Sequence, residues 1–300
     1  MKLPAIPLAA RLLVVPVAFA SAALADDAAA IMAKVAANVE AATDARRQFV
    51  YRQNVRGSMS KSGQRIRRED RQYSVIPSAT STEKKLVSFR GEYKKGKQTL
   101  TYSEPVPQHG DAEHKDIGAD AEILEDVTES LVNAKNSRDG IPRELFPLRT
   151  ADLPFYVFTM KAESGYQGRS VYRIGLVPVK KDFCLHIGED NKGECGDHQW
   201  MGEVWIDQQE LQPVRIDTQL AWKVPWAVRT FMGTNLKQLG FAITYKRVAE
   251  GVWFPATYGT EFQIDVLFFY KRTISLNLES SGFQKTDAVS TVKYDLTDVH

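Results

Sequence analysis

Residues 251–266 read GVWFPATYGTEFQIDV. Phe254, Tyr258, Phe262, Ile264 and Val266 fall on even positions, and Glu261 falls between them on an odd one. Side chains of a strand alternate between its two faces, so this pattern predicts a strand with one dry and one wet face. The same period runs through neighbouring segments. Tyr172, Ile174 and Leu176 share one parity in 169–179; Val214, Ile216, Leu220 and Trp222 share one in 211–222; Phe241, Ile243 and Tyr245 share one in 240–248. The opposite parity carries Arg173, Arg215, Asp217 and Lys246. One greasy face and one polar face describe an antiparallel sheet covered on one side.

Further strands are predicted over 47–57, 64–77, 84–98, 155–163, 201–207, 268–280 and 289–296, separated by turns such as Ser60-Lys61-Ser62-Gly63 and Ala249-Glu250-Gly251. Two segments break the period. Ile31, Met32, Val35 and Val39 recur at helical spacing within Ala-rich sequence, with Asp26 and Asp27 suited to the positive end of a helix. Residues 119–136 place Ile123, Leu124, Val127 and Leu131 on one helical face and Glu122, Glu125, Asp126 and Glu129 on the other, wet one. The fold class is therefore mainly β (α+β): about eleven strands in one sheet, with two helices to cover it. A single sheet of that width must curl, because strand twist accumulates.

The N-terminus has Lys2 and Arg11, the apolar run LLVVPVAFA (12–20) and Ala23-Leu24-Ala25. That order describes a secretory signal peptide, 1–25, cleaved after Ala25, followed by a single domain over 26–300. Nine apolar residues are too few to cross a bilayer, which needs about 20. The expected location is the bacterial periplasm. The chain carries 39 Lys and Arg against 37 Asp and Glu, and two of the basic residues lie in the segment read as removed. The balanced remainder argues against a nucleic-acid partner, which usually demands a basic excess. The basic cluster RIRRED (65–70) alternates and reads as the wet face of a strand.

Both cysteines fall in FCLHIGEDNKGECGDHQW (183–200). In an oxidising compartment Cys184 and Cys195 are expected to pair. A loop of that length closed by a disulfide gains about 3 kcal/mol in the chain-entropy view. The rival is zinc, with His186 and His198 beside the thiols, but the spacing fits no standard finger. His109, Asp111, Glu113 and His114 also sit together, but Gly110 and the preceding prolines make them a solvated turn. No nucleophile elbow, phosphate loop or dinucleotide fingerprint occurs, so no catalytic residue, metal or cofactor is assigned and no enzyme is expected.

Several short motifs, in order, point to a family. These are Tyr172-x-Ile174-x-Leu176-x-Pro178, GEVWID (202–207), PVRID (213–217) and GVWFP (251–255), after FVYRQNVR (49–56) and GQRIRREDRQYSVIP (63–77). Together they resemble the periplasmic lipoprotein-carrier fold, Lol-type, and exported proteins grouped with it. The resemblance implies an unclosed half-barrel with helices as a lid, holding acyl chains on its concave side. The candidate ligand-binding residues are then Tyr172, Ile174, Leu176, Val214, Ile216, Leu220, Trp222, Phe241, Ile243, Tyr245, Phe254, Tyr258 and Phe262, with Trp226 and Phe231 at a mouth formed by 221–238. The expected partner is a hydrophobic ligand, lipid or lipoprotein, with membrane or partner-protein contact as a further possibility. The alternative is a periplasmic sensor that uses the same fold to grip a partner protein.

Overall fold

A computed structural model describes residues 18–77, 82–105, 119–132, 148–179, 200–221, 234–237, 239–266 and 270–286. Helix α1 spans Ala18–Arg46 and helix α2 spans Ala119–Val132. The strands are β1 (Phe49–Lys61), β2 (Gln64–Pro77), β3 (Thr82–Lys95), β4 (Gln98–Tyr102), β5 (Tyr156–Tyr166) and β6 (Arg169–Pro178). They continue with β7 (Trp200–Asp207), β8 (Pro213–Leu220), β9 (Thr234–Lys237), β10 (Gly240–Ala249), β11 (Val252–Val266) and β12 (Tyr270–Lys285).

All twelve strands belong to one antiparallel sheet, in the order β4-β3-β2-β1-β12-β11-β10-β8-β7-β6-β5, with β9 paired to β11 beside that path. Among the described residues β4 and β5 each pair with one strand, at the two ends of the order, so the sheet is open. Most neighbours in the order are also neighbours in sequence, as hairpins require. The long-range joins are β1 with β12 and β8 with β10.

Register carries the alternation of single strands across the whole sheet. Ile174 opposes Val204, which opposes Ile216, then Ile243, Tyr258, Leu278 and Val55 in turn. Six of these seven residues are at most 2 % exposed. A slip of one residue in any pair would turn that strand's apolar set to water, which fixes the register. We call this apolar side the inner face.

The helices lie on the inner face. Ala28, Met32, Val35, Ala36, Val39 and Ala42 form the buried stripe of α1, which packs mainly on β5 and also reaches β11. Asn38 ties the helix to the β7–β8 turn, donating to the Glu210 and Leu211 carbonyls and accepting from Gln212 at its own carbonyl. The helix runs through the Ala25–Asp26 junction, so Asp26 and Asp27 lie inside it in the uncleaved chain rather than in its first turn. Helix α2 lies over β1, where Gly57 admits it: a Cβ there would stand 3.1 Å from Leu124 Cδ1 and 3.3 Å from Thr128 Oγ1.

Two sequence readings are corrected. The cluster 65–70 is not simply a wet strand face, because Arg67 and Glu69 are 3 % and 1 % exposed, and Arg71 beyond them is 3 % exposed. Glu125 is not on the wet side of α2 but 4 % exposed. The reason is mutual: each supplies the charge that makes the other's burial tolerable. Among the described residues no helix is long and apolar enough to cross a membrane.

Candidate functional site: the inner face and its charged end

The inner face has two chemically different parts. Over β5 to β12 it is apolar. Of the residues expected to line a cavity, Ile174, Leu176, Val214, Ile216, Phe241, Ile243, Tyr245, Phe254, Tyr258 and Phe262 are buried there, and Tyr172 packs against them half-buried. Leu220, at the end of β8, is also half-buried. Trp222, Trp226 and Phe231 lie outside the described residues, as do Cys184, Cys195, His186, His198 and the 109–114 cluster.

The packing is dense. Phe254 meets the rings of Phe49 and Tyr51 edge-on, each 5.5 Å away, and that of Phe283 at 4.5 Å. Trp200 stands edge-on to Phe241 at 4.8 Å, and Phe241 stacks on Tyr258 at 5.8 Å. A polar pair interrupts this wall: Gln53 is fully buried and donates to the buried Ser280 hydroxyl at 3.5 Å, while its Oε1 accepts no hydrogen bond among the described residues.

Over β2 to β4 the same face is ionic. In β2 the inward positions before Tyr73 and Val75 are Arg67, Glu69 and Arg71. Arg71 donates to Glu69 Oε2 at 2.6 Å and takes both carboxylate oxygens of Glu125 on α2. Its guanidinium also lies 5.3 Å from the Phe89 ring. Tyr102 donates to Glu69 and accepts from Arg67 at 2.7 Å. Its ring reaches them by lying flat over Gly91, the cross-strand residue, where any Cβ would collide with it at 2.1 Å. At the first turn of α2, Asp120 accepts from Arg272 at 2.8 and 3.2 Å and from the Tyr270 hydroxyl. Asp120 there also complements the positive end of the helix.

These contacts set the protonation states. Burial works against the charge on Arg71, but hydrogen bonds and charge from Glu125 and Glu69 outweigh it and hold its pKa above the ordinary guanidinium value. Burial raises the Glu125 carboxyl above the usual range, and Arg71 only partly offsets that. Burial, reinforced by Glu69, also pushes the Tyr102 hydroxyl up. Lys84 of β3 stands near Glu129 of α2; burial lowers its pKa to about 7 from 10.5. A lysine whose folded pKa is lowered binds its proton more weakly than in the unfolded chain. The resulting cost is complete below pH 7 and vanishes as pH rises through 10.5. Lys84→Met is therefore expected to raise stability at pH 6 and leave it unchanged at pH 11. Urea midpoints at the two pH values measure this.

Sequence reasoning missed the ionic end, although one signal pointed to it. Arg67, Glu69 and Arg71 have the parity of Tyr73 and Val75 in an unbroken strand, which places them inward. Helix α2 is thus held by carboxylates, Asp120 and Glu125, and by the buried Ala121, Leu124 and Thr128, with Ile123 and Val127 half-buried against the core. A surface of this kind can separate into water. Buried ion pairs contribute little net stability when both partners regain solvent together.

No protein-family model and no curated protein matches the chain. Solved structures of similar chain path exist. A putative outer membrane lipoprotein-sorting protein domain from Vibrio parahaemolyticus matches with TM-score 0.36 and 9% identity, over 89% of this chain and 95% of that one. A DUF1329 family protein from Desulfovibrio piger matches with TM-score 0.31 and 10% identity, over 85% and 95%. A LolA superfamily protein from Nitrosomonas europaea matches with TM-score 0.30 and 10% identity, over 85% and 94%. At these scores the likeness transfers neither a site nor a ligand to this chain.

Proposed function

We propose that the chain binds an apolar ligand, an acyl chain or lipid, between the inner face of the sheet and its helices, and that it acts by binding rather than by catalysis. One observation carries the reading: an apolar wall seven strands wide is closed over β1 by a helix whose apolar strip is flanked by buried and half-buried charge pairs. Lifting α2 hydrates both members of each ion pair and uncovers the apolar strip of Leu124, Ile123 and Val127 together with the wall beneath it. A ligand chain that replaces the helix then gains about 0.8 kcal/mol for each CH₂ it buries. Gln53 offers a buried acceptor for a polar head. The signal-like N-terminus supports a periplasmic site of action.

A bulky residue at Gly57 tests this. Gly57→Val should hold α2 away from β1, speed the exchange of a fluorescent fatty acid severalfold and leave the sheet folded by circular dichroism. Unchanged exchange with a folded sheet would refute the lid.

A second reading has its own observation. Phe155, Val157, Val177 and Val179 are 45–56 % exposed at the end strand β5. An exposed apolar patch of this kind suits a partner protein. Solvent extraction of the exported protein followed by lipid mass spectrometry separates the two. Co-purified lipid supports the binder; a lipid-free protein in a stoichiometric complex supports the second reading.

A further inference from the structure

The described cavities of the sheet open on the outer face, away from the helices. One of about 650 Å³ reaches from β3 to β8, and one of about 490 Å³ adjoins it, sharing Thr244, Thr257 and Glu279. Together they form a trough across the middle strands. Its floor is low because the central positions are Ala242 and Gly259. Its sides are planar hydrogen-bonding groups: the amides of Asn54, Gln72 and Asn277, and the guanidiniums of Arg56, Arg90 and Arg215.

Register sets these groups in two parallel rows. Glu279, Asn54 and Gln72 face one another across β12, β1 and β2; Asn277, Arg56, Asp70 and Arg90 do so one step along. Neighbouring groups in a row are thus about 4.8 Å apart. That spacing is close to the length of one pyranose unit.

Charge decides among polar ligands. Arg56 and Arg68 share the single Asp70 carboxylate, and Arg215 is paired with Asp217, so three nearby guanidiniums meet two carboxylates, and Glu279 supplies a third. Glu279 stands in the shared middle of the trough and has no ion-pair partner among the described residues. A bare carboxylate there repels a polyanion. A ligand rich in hydroxyls meets donors and acceptors alike, and uses both.

We propose that the outer trough is a binding site for an extended neutral oligosaccharide, lying across the strands with its hydroxyl pairs on the amide and guanidinium rows. The site is separate from the inner face and does not depend on the lipid reading.

Isothermal titration of the full chain with cellohexaose, chitohexaose and maltohexaose tests it, with polygalacturonate as the anionic control. At least one neutral hexasaccharide should bind. Gln72→Ala and Asn277→Ala, on the surface of paired strands, should each weaken it about tenfold without lowering the melting temperature. Ala242→Tyr, which raises the floor, should abolish binding, while fatty-acid binding stays unchanged in all three variants. Binding that survives all three substitutions would overturn the proposal. So would binding of polygalacturonate alone, or the absence of any titratable heat with the neutral sugars.

Discussion

Arg71→Met is expected to destabilise the protein by about 3–5 kcal/mol at neutral pH, the range for removing one partner of a buried charge cluster. The side chain holds two carboxylates at once, Glu69 from its own strand and Glu125 from α2. Methionine fills much of its volume but leaves both acids buried without a cation. The pH dependence follows from Glu125. Its pKa is already raised by burial, and loss of Arg71 raises it further. A carboxyl with a raised folded pKa binds its proton more tightly in the fold than in the unfolded chain. Its contribution is favourable in acid and is lost as pH rises through the folded value. The deficit of Arg71→Met should therefore be smaller at pH 5 than at pH 7.5, as read from urea unfolding. Adding Glu69→Gln and Glu125→Gln should recover much of the loss at neutral pH. A deficit that grows in acid, or no deficit at all, would show that the cluster is hydrated rather than dry.

Phe254→Ala carries the second large effect, also about 3–5 kcal/mol, the usual range for truncating a buried phenylalanine. The ring is 1 % exposed. It joins β11 to Phe49 and Tyr51 on β1 and to Phe283 on β12. The Arg46 guanidinium at the end of α1 lies 5.8 Å from its centre. No single neighbour can move into the space, because the surrounding side chains are fixed on three different elements, β1, β12 and α1. Phe254→Leu, which keeps most of the volume, should cost under about 1.5 kcal/mol. Equilibrium denaturation measures both. A small loss for the alanine variant would mean that the wall is loosely filled at this point and yields to a guest without help from α2.

The two effects also bear on how the protein opens. The aromatic junction ties α1 and three elements of sheet together through contacts that water cannot replace. The ionic junction ties α2 through contacts that water can replace if both partners are released together. The same cluster that is costly to break by mutation is thus inexpensive to open by hydration. That asymmetry makes α2, and not α1, the moving part in the proposed binding cycle.

The alternation in residues 169–179, 211–222 and 251–266 was enough to establish an antiparallel sheet with one dry face. Period two is a property of the strand itself, and it survives any arrangement of neighbours. The same holds for the α1 stripe of Met32, Val35 and Val39. What the linear order left open was which strands meet. β1 pairs with β12 across the length of the domain, and that pairing aligns Val55 with Leu278 and extends the apolar wall by a strand. The charged end was open too. Arg67 and Glu69, in the alternating cluster 65–70, read as a wet strand face, and Glu125 as wet by its place on α2. The strand sets Glu69 between Arg67 and Arg71, and the docking of α2 adds Glu125, which completes the cluster that makes their burial tolerable. Apolar side chains declare their destination one residue at a time, because transfer from water favours each alone. Buried charges acquire theirs as a group, and the group exists only in three dimensions.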